Sequence, residues 1–184
     1  MEGIAVLASG SGTILEAILE AGIPVSVLVA DRPCRAVDVA DGAGVSAVLV
    51  ERQSFGTGFD RLAFTHAVLD ALAAYEPGLV AMAGFGTVLE KPLFDAFPDR
   101  VLNTHPALLP AFPGWHAVED ALAAGVKVTG CTVHVATIDV DAGPILAQEA
   151  VPVLDGDTAE SLHERIKDVE RRLYPLTIRR VIGR

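Results

Sequence analysis

Ile4-Ala-Val-Leu-Ala8, followed by Ser9-Gly-Ser-Gly12 and a helical segment Thr13-Ala21, opens the chain. Five apolar residues without polar alternation read as a strand buried on both faces, and Val25-Ser-Val-Leu-Val29 within a strand Val25-Ala30 carries the same signature. Onward from this pair the pattern predicts helix Arg35-Ala43, strand Ala47-Val50, helix Phe59-Tyr75, strand Leu79-Ala83 and strand Val101-Asn103. Strands alternating with helices predict an α/β fold: a doubly wound, mostly parallel sheet covered on both faces.

The last third of the chain changes character. A loop with Pro106, Pro110 and Pro113 leads to a short helix from about His116 to Ala124. Strands near Cys131-Ala136 and Ile145-Val153 follow, predicted to pair as a hairpin-like excursion. Asp157-Thr158-Ala159-Glu160 resembles a capping box, with Leu162, Ile166, Val169 and Leu173 on one face of the helix it starts. Pro175 is expected to kink or end that helix. No repeat, low-complexity tract or Gly/Ser-rich linker divides the 184 residues, so one domain spanning 1–184 is expected.

Composition narrows the function. Twenty-four acidic against 14 basic residues give a net charge of -10, which argues against nucleic acid as a partner, because phosphate backbones need clustered Lys and Arg. An anionic small ligand would need local help. Cys34 and Cys131 stand far apart with no zinc spacing, so buried free thiols are expected and neither a metal nor a disulfide framework. No apolar run reaches the ~18 residues of a membrane span and no basic leader precedes the first strand, which points to a cytoplasmic protein.

Two places carry chemistry. Ser9-Gly-Ser-Gly12 lets backbone N–H groups turn toward an anion at the start of a helix, where phosphate is the natural guest. Leu15 stands where a dinucleotide fingerprint needs its third glycine, and no P-loop lysine follows, so a monophosphate fits better. The same glycines equally serve a tight strand-to-helix turn. The second place is Asn103-Thr-His105-Pro106 with Asp141 in Val140-Asp-Ala-Gly-Pro144. An Asn amide donates to an oxyanion without ionising, and a histidine moves protons near neutral pH. A carboxylate beside that histidine favours imidazolium and raises its pKa, as suits a general acid. Singly, each residue is ordinary turn chemistry. No nucleophile elbow occurs and neither cysteine has a nucleophile's context, so the set suits acyl transfer without a protein nucleophile, in which a substrate amine attacks directly. His134 reads as a hydrogen-bonded strand histidine, and His66, His116 and His163 as helix-surface residues. Phe112 and Trp115 fit a pocket or the core and are assigned no function.

Ser9-Gly-Ser-Gly12, Ala83-Gly84-Phe85, Asn103-Thr-His-Pro-Ala-Leu-Leu-Pro110, Pro113-Gly114, Gly130-Cys-Thr-Val-His134 and Asp141-Ala-Gly-Pro144 together resemble the 10-formyltetrahydrofolate-dependent formyltransferases, from Ile4 to the C-terminal helix. The resemblance implies a Rossmann-like sheet with a C-terminal strand pair and helix. It implies transfer of a formyl group from 10-formyltetrahydrofolate, a co-substrate, to the amine of phosphoribosylglycinamide in purine synthesis, without metal. Asn103 would hold the oxyanion, His105 would be the proton donor, and Asp141 would raise the His105 pKa. Gly12, Thr13 and Ile14 would cradle the ribonucleotide phosphate, with Lys167, Asp168, Val169 and Glu170 on its other parts. Folate would lie along Gly86, Thr87, Val88 and Leu89 and along Thr137, Ile138, Asp139, Val140 and Asp141, beside Asn103, with Arg61 at its glutamate tail. Ile14 stands where the family commonly has Asn, and Thr87 where one bacterial branch has Arg. Partners would be small molecules, with the chain a monomer or homodimer. Transfer to an amino-sugar nucleotide, and a non-catalytic phosphate-binding module, are the alternative readings.

Overall fold

A computed structural model of the chain describes residues 3–54, 56 and 58–183. They form two compact units, Met1–Leu102 and Asn103–Arg184. In the first, β1 (Ile4–Ala8), α1 (Thr13–Glu20), β2 (Val25–Ala30), α2 (Arg35–Gly42), β3 (Ser46–Leu49), α3 (Arg61–Ala73), β4 (Leu79–Met82) and α4 (Lys91–Ala96) follow in order. Strand β5 (Val101–His105) begins there and runs into the second unit, which holds α5 (Ala117–Ala123), β6 (Val128–Val135), β7 (Ile145–Pro152) and α6 (Ala159–Ile182). Within the first unit the strand order is β3-β2-β1-β4, and within the second β6 lies beside β7.

Strand β1 runs parallel to both β2 and β4, and β2 runs parallel to β3. All five β1 residues are buried, as their unbroken apolar run requires of a strand covered on both faces. The predicted hairpin is an antiparallel β6–β7 pair with Cys131 opposite Glu149 and Thr132 opposite Gln148. Leu162 and Ile166 of α6 enter a core with Val118, Cys131 and Val151, and Val169 and Leu173 pack against it, as their helical spacing predicts.

Five local expectations are corrected. Helix α4, led by Lys91-Pro92, was not foreseen; its six residues are too few for a periodic signal. Strand β5 extends past Asn103 to His105, stopping only where Pro106 removes the next N–H donor. Pro175 does not end α6, because Tyr174, Pro175, Thr177 and Ile178 are all buried, and that packing outweighs one missing backbone bond. The capping box stands one residue later than Asp157 to Glu160, between Thr158 and Ser161: the Ser161 N–H donates to Thr158 Oγ1, and the Thr158 N–H donates to Ser161 Oγ. Of the two free thiols Cys131 is buried, whereas Cys34 is half-exposed at the start of α2.

Candidate active site

Asn103, Thr104 and His105 end β5, and Thr129–Val135 form the buried part of β6. Burial pushes the Cys131 thiol up to about 12, which makes it a core side chain and not a nucleophile. Asp141 comes from the turn between β6 and β7, with a left-handed φ of 56° that Asp tolerates better than most residues. The loop after β5 is tied to this framework. Thr132 Oγ1 donates to the Ala107 carbonyl and accepts from the Leu109 N–H, Gln148 donates to the Leu109 carbonyl, and the Gly114 N–H donates to Asp141 Oδ2 at 2.8 Å.

These elements bring Asn103, His105 and Asp141 together. His105 is buried, with Nδ1 3.3 Å from Asp141 Oδ2 and Nε2 2.7 Å from the Phe112 carbonyl. A carbonyl only accepts, so Nε2 carries a hydrogen, and the ring faces acceptors on both sides. Burial pushes the Asp141 carboxyl up, but the nearby His134 ring, a hydrogen bond from the Gly114 N–H and the His105 imidazole outweigh it and hold the pKa below the usual range.

His134 was read only as a strand histidine and lies inside this constellation. It is 1% exposed, with Nδ1 2.9 Å from the Val135 carbonyl and Nε2 3.3 Å from Asn103 Nδ2. No local signal marks it, because its neighbours in β6 are apolar and its partners lie about 30 positions before it or in the turn beyond. The pocket-or-core reading of Trp115 meets a side chain 69% exposed, so it is not a core residue.

The other expected positions are distributed as follows. In the second unit, burial raises the Glu170 pKa against a Thr104 hydrogen bond and the charges of Lys167 and Arg171. Lys167 pairs with Glu164 at 2.7 Å, Asp168 with Arg171, and Val169 faces the core. Thr137 Oγ1 donates to the Asp139 carbonyl, and Ile138 and Val140 are exposed. In the first unit, Gly12 caps α1 with φ 74°, and a Cβ there would stand 2.8 Å from Ala36 Cα, so no side chain fits. Thr13 is half-buried and begins α1; Ile14 turns into the core at 7% exposure, leaving only backbone to offer an anion. Arg61 is exposed in the first turn of α3. Thr87 is buried and donates to Asp31 Oδ2 at 2.7 Å, while Gly86 N–H donates to Ser9 Oγ at 2.6 Å. Val88 is half-buried and Leu89 buried, so this segment too offers chiefly backbone. Among the described residues no group of three or more His, Cys, Asp and Glu is arranged to hold a metal ion, and no helix is long and apolar enough to cross a membrane.

The side chains of Asn103, His105, His134 and Asp141 cluster at the end of β5, and residues 2–178 match the model of the Formyl transferase family. The chain belongs to that family. It is 51% identical over 175 residues to the phosphoribosylglycinamide formyltransferase of Mycobacterium tuberculosis, covering 92% of this chain and 80% of that protein. Identity to the Bacillus subtilis protein of the same name is 35% over 190 residues, covering 100% of this chain and 96% of the relative. The crystal structure of glycinamide ribonucleotide transformylase 1 from Symbiobacterium toebii superposes with a TM-score of 0.91 at 47% identity, covering 97% of this chain and 86% of that one.

Proposed function

We propose that this chain transfers a formyl group from 10-formyltetrahydrofolate to the amine of phosphoribosylglycinamide, a step of purine synthesis. The observation that carries the reading is the convergence of Asn103, His105 and Asp141, in a chain half-identical to a protein named for that reaction. The unprotonated amine attacks the formyl carbon and forms the new C–N bond. The carbonyl oxygen becomes an oxyanion, and the Asn103 N–H donates to it. Collapse breaks the bond from carbon to N10 of the folate. The proton shed by the amine is balanced by one delivered from His105 to the departing nitrogen, and Asp141 favours the protonated ring. His105 Nε2 is engaged by the Phe112 carbonyl, so that bond exchanges when Nε2 meets substrate.

Binding follows the same residues. Backbone N–H groups of Gly12, Thr13 and Ile14 hold the phosphate, favoured by the positive end of α1. Glu170 accepts from the glycinamide amine, with Lys167, Asp168 and Val169 alongside the ribonucleotide. Backbone of Gly86, Thr87, Val88 and Leu89, and of the turn Thr137–Asp141, reads the pterin edge, and Arg61 meets the glutamate tail. The reading involves small-molecule partners and no metal, in a cytoplasmic monomer or homodimer.

The test follows tetrahydrofolate formation with phosphoribosylglycinamide present or omitted. Amine-dependent turnover is expected, falling about 10²–10³-fold in Asn103→Ala as an oxyanion donor is lost. Turnover without the amine, or none with it, overturns the proposal.

A further inference from the structure

Resting on that reading, we infer that His134 is a positioning residue: it fixes which end of the Asn103 amide is offered to the formyl oxygen. An Asn side chain carries a donor and an acceptor of nearly equal size, and only the donor end stabilises an oxyanion. Something must therefore choose between two orientations related by a half-turn.

His134 supplies the choice. Its Nδ1 stands 2.9 Å from the Val135 carbonyl, which only accepts, so Nδ1 carries the hydrogen. The neutral ring then presents a lone pair at Nε2, and Asn103 Nδ2 lies 3.3 Å from it. Turning the amide over would set Oδ1 against that lone pair, acceptor against acceptor. Asn103 therefore gives one N–H to His134 and keeps the other as a donor. Asp141 Oδ1 is the competing neighbour of the same nitrogen, but at 3.6 Å it lies beyond hydrogen-bonding distance, while Asp141 Oδ2 accepts from the Gly114 N–H. Strand β6 holds the ring in place at 1% exposure, so the choice is made before substrate arrives.

Three measurements test this. Nitrogen-15 chemical shifts of the wild-type ring should report the Nδ1–H tautomer. His134→Leu should lower kcat about tenfold with KM changed less than about twofold, and His134→Gln, whose Oε1 replaces the acceptor, should recover most of it. In an Asn103→Ala background His134→Leu should change kcat by less than about twofold, because a residue acting through Asn103 has nothing left to position. An Nε2–H tautomer overturns the inference, as does a tenfold loss that persists without Asn103 or a Gln variant as defective as Leu. Should His134→Leu fail to fold, the tautomer and the Gln variant still decide. Failure of the functional reading looks different: wild-type protein would show no amine-dependent turnover, whatever the tautomer.

Discussion

Asp31 shows how much one side chain organises in the first unit. Its carboxylate has no exposed surface, and it accepts from Arg32 Nε at 3.0 Å, Arg32 Nη2 at 3.2 Å and Thr87 Oγ1 at 2.7 Å. Burial pushes its pKa up, yet hydrogen bonds from Arg32, Thr87 and Ser9 prevail and hold it below the usual range. A pKa lower in the folded than in the unfolded state adds stability that is fully present above the unfolded value near 4 and is lost as pH falls through the folded one. Denaturant midpoints are therefore expected to drop below about pH 4. Asp31→Asn should cost about 1–3 kcal/mol at neutral pH and flatten that acid dependence, as equilibrium unfolding at several pH values would show. Asp31 drew no notice in the sequence because an Asp after a strand is common turn chemistry; beside its neighbour Arg32, its partners Ser9 and Thr87 come from far along the chain. Asn103, His105 and Asp141 were legible because their residue types and order are themselves the signal.

Single turns decide the helices. Gly12 begins α1 in a left-handed conformation against Ala36, and a tight turn there is compatible with first-turn N–H groups that have no partner within the helix. Helix α6 starts with the reciprocal Thr158–Ser161 pair, and Asp157 accepts from Arg165 at 2.7 Å and from Ser161 at 2.8 Å. Thr158→Ala should cost about 1 kcal/mol, read as a lowered urea midpoint with unchanged slope. The start of α6 was legible within a residue, but its partner was not. Ser161 and Glu160 are adjacent, and only the helix phase selects which side chain points back to the cap. The path of α6 beyond Pro175 was likewise illegible, since local propensity argues for a stop and burial overrides it.

On the proposed function, a charge of -10 across the whole chain would act on ligands that are themselves anionic. Lys167 is partly neutralised by Glu164, so long-range attraction does not explain capture; local backbone donors must. Raising ionic strength from about 10 mM to about 150 mM should therefore leave kcat/KM for the ribonucleotide unchanged or slightly higher, as screening removes repulsion. A steep fall would show that a local cationic field dominates. The alternation of strands and helices, the apolar face of α6 and the Asn-x-His and Asp-x-Gly-Pro motifs were readable along the chain, because hydrophobic period and turn chemistry act over a few residues. Folding alone decided that His134 joins Asn103 and Asp141 and that Asp31 clasps Thr87. Each depends on which side chains two distant segments bring within hydrogen-bonding or packing distance, and no local pattern encodes that distance.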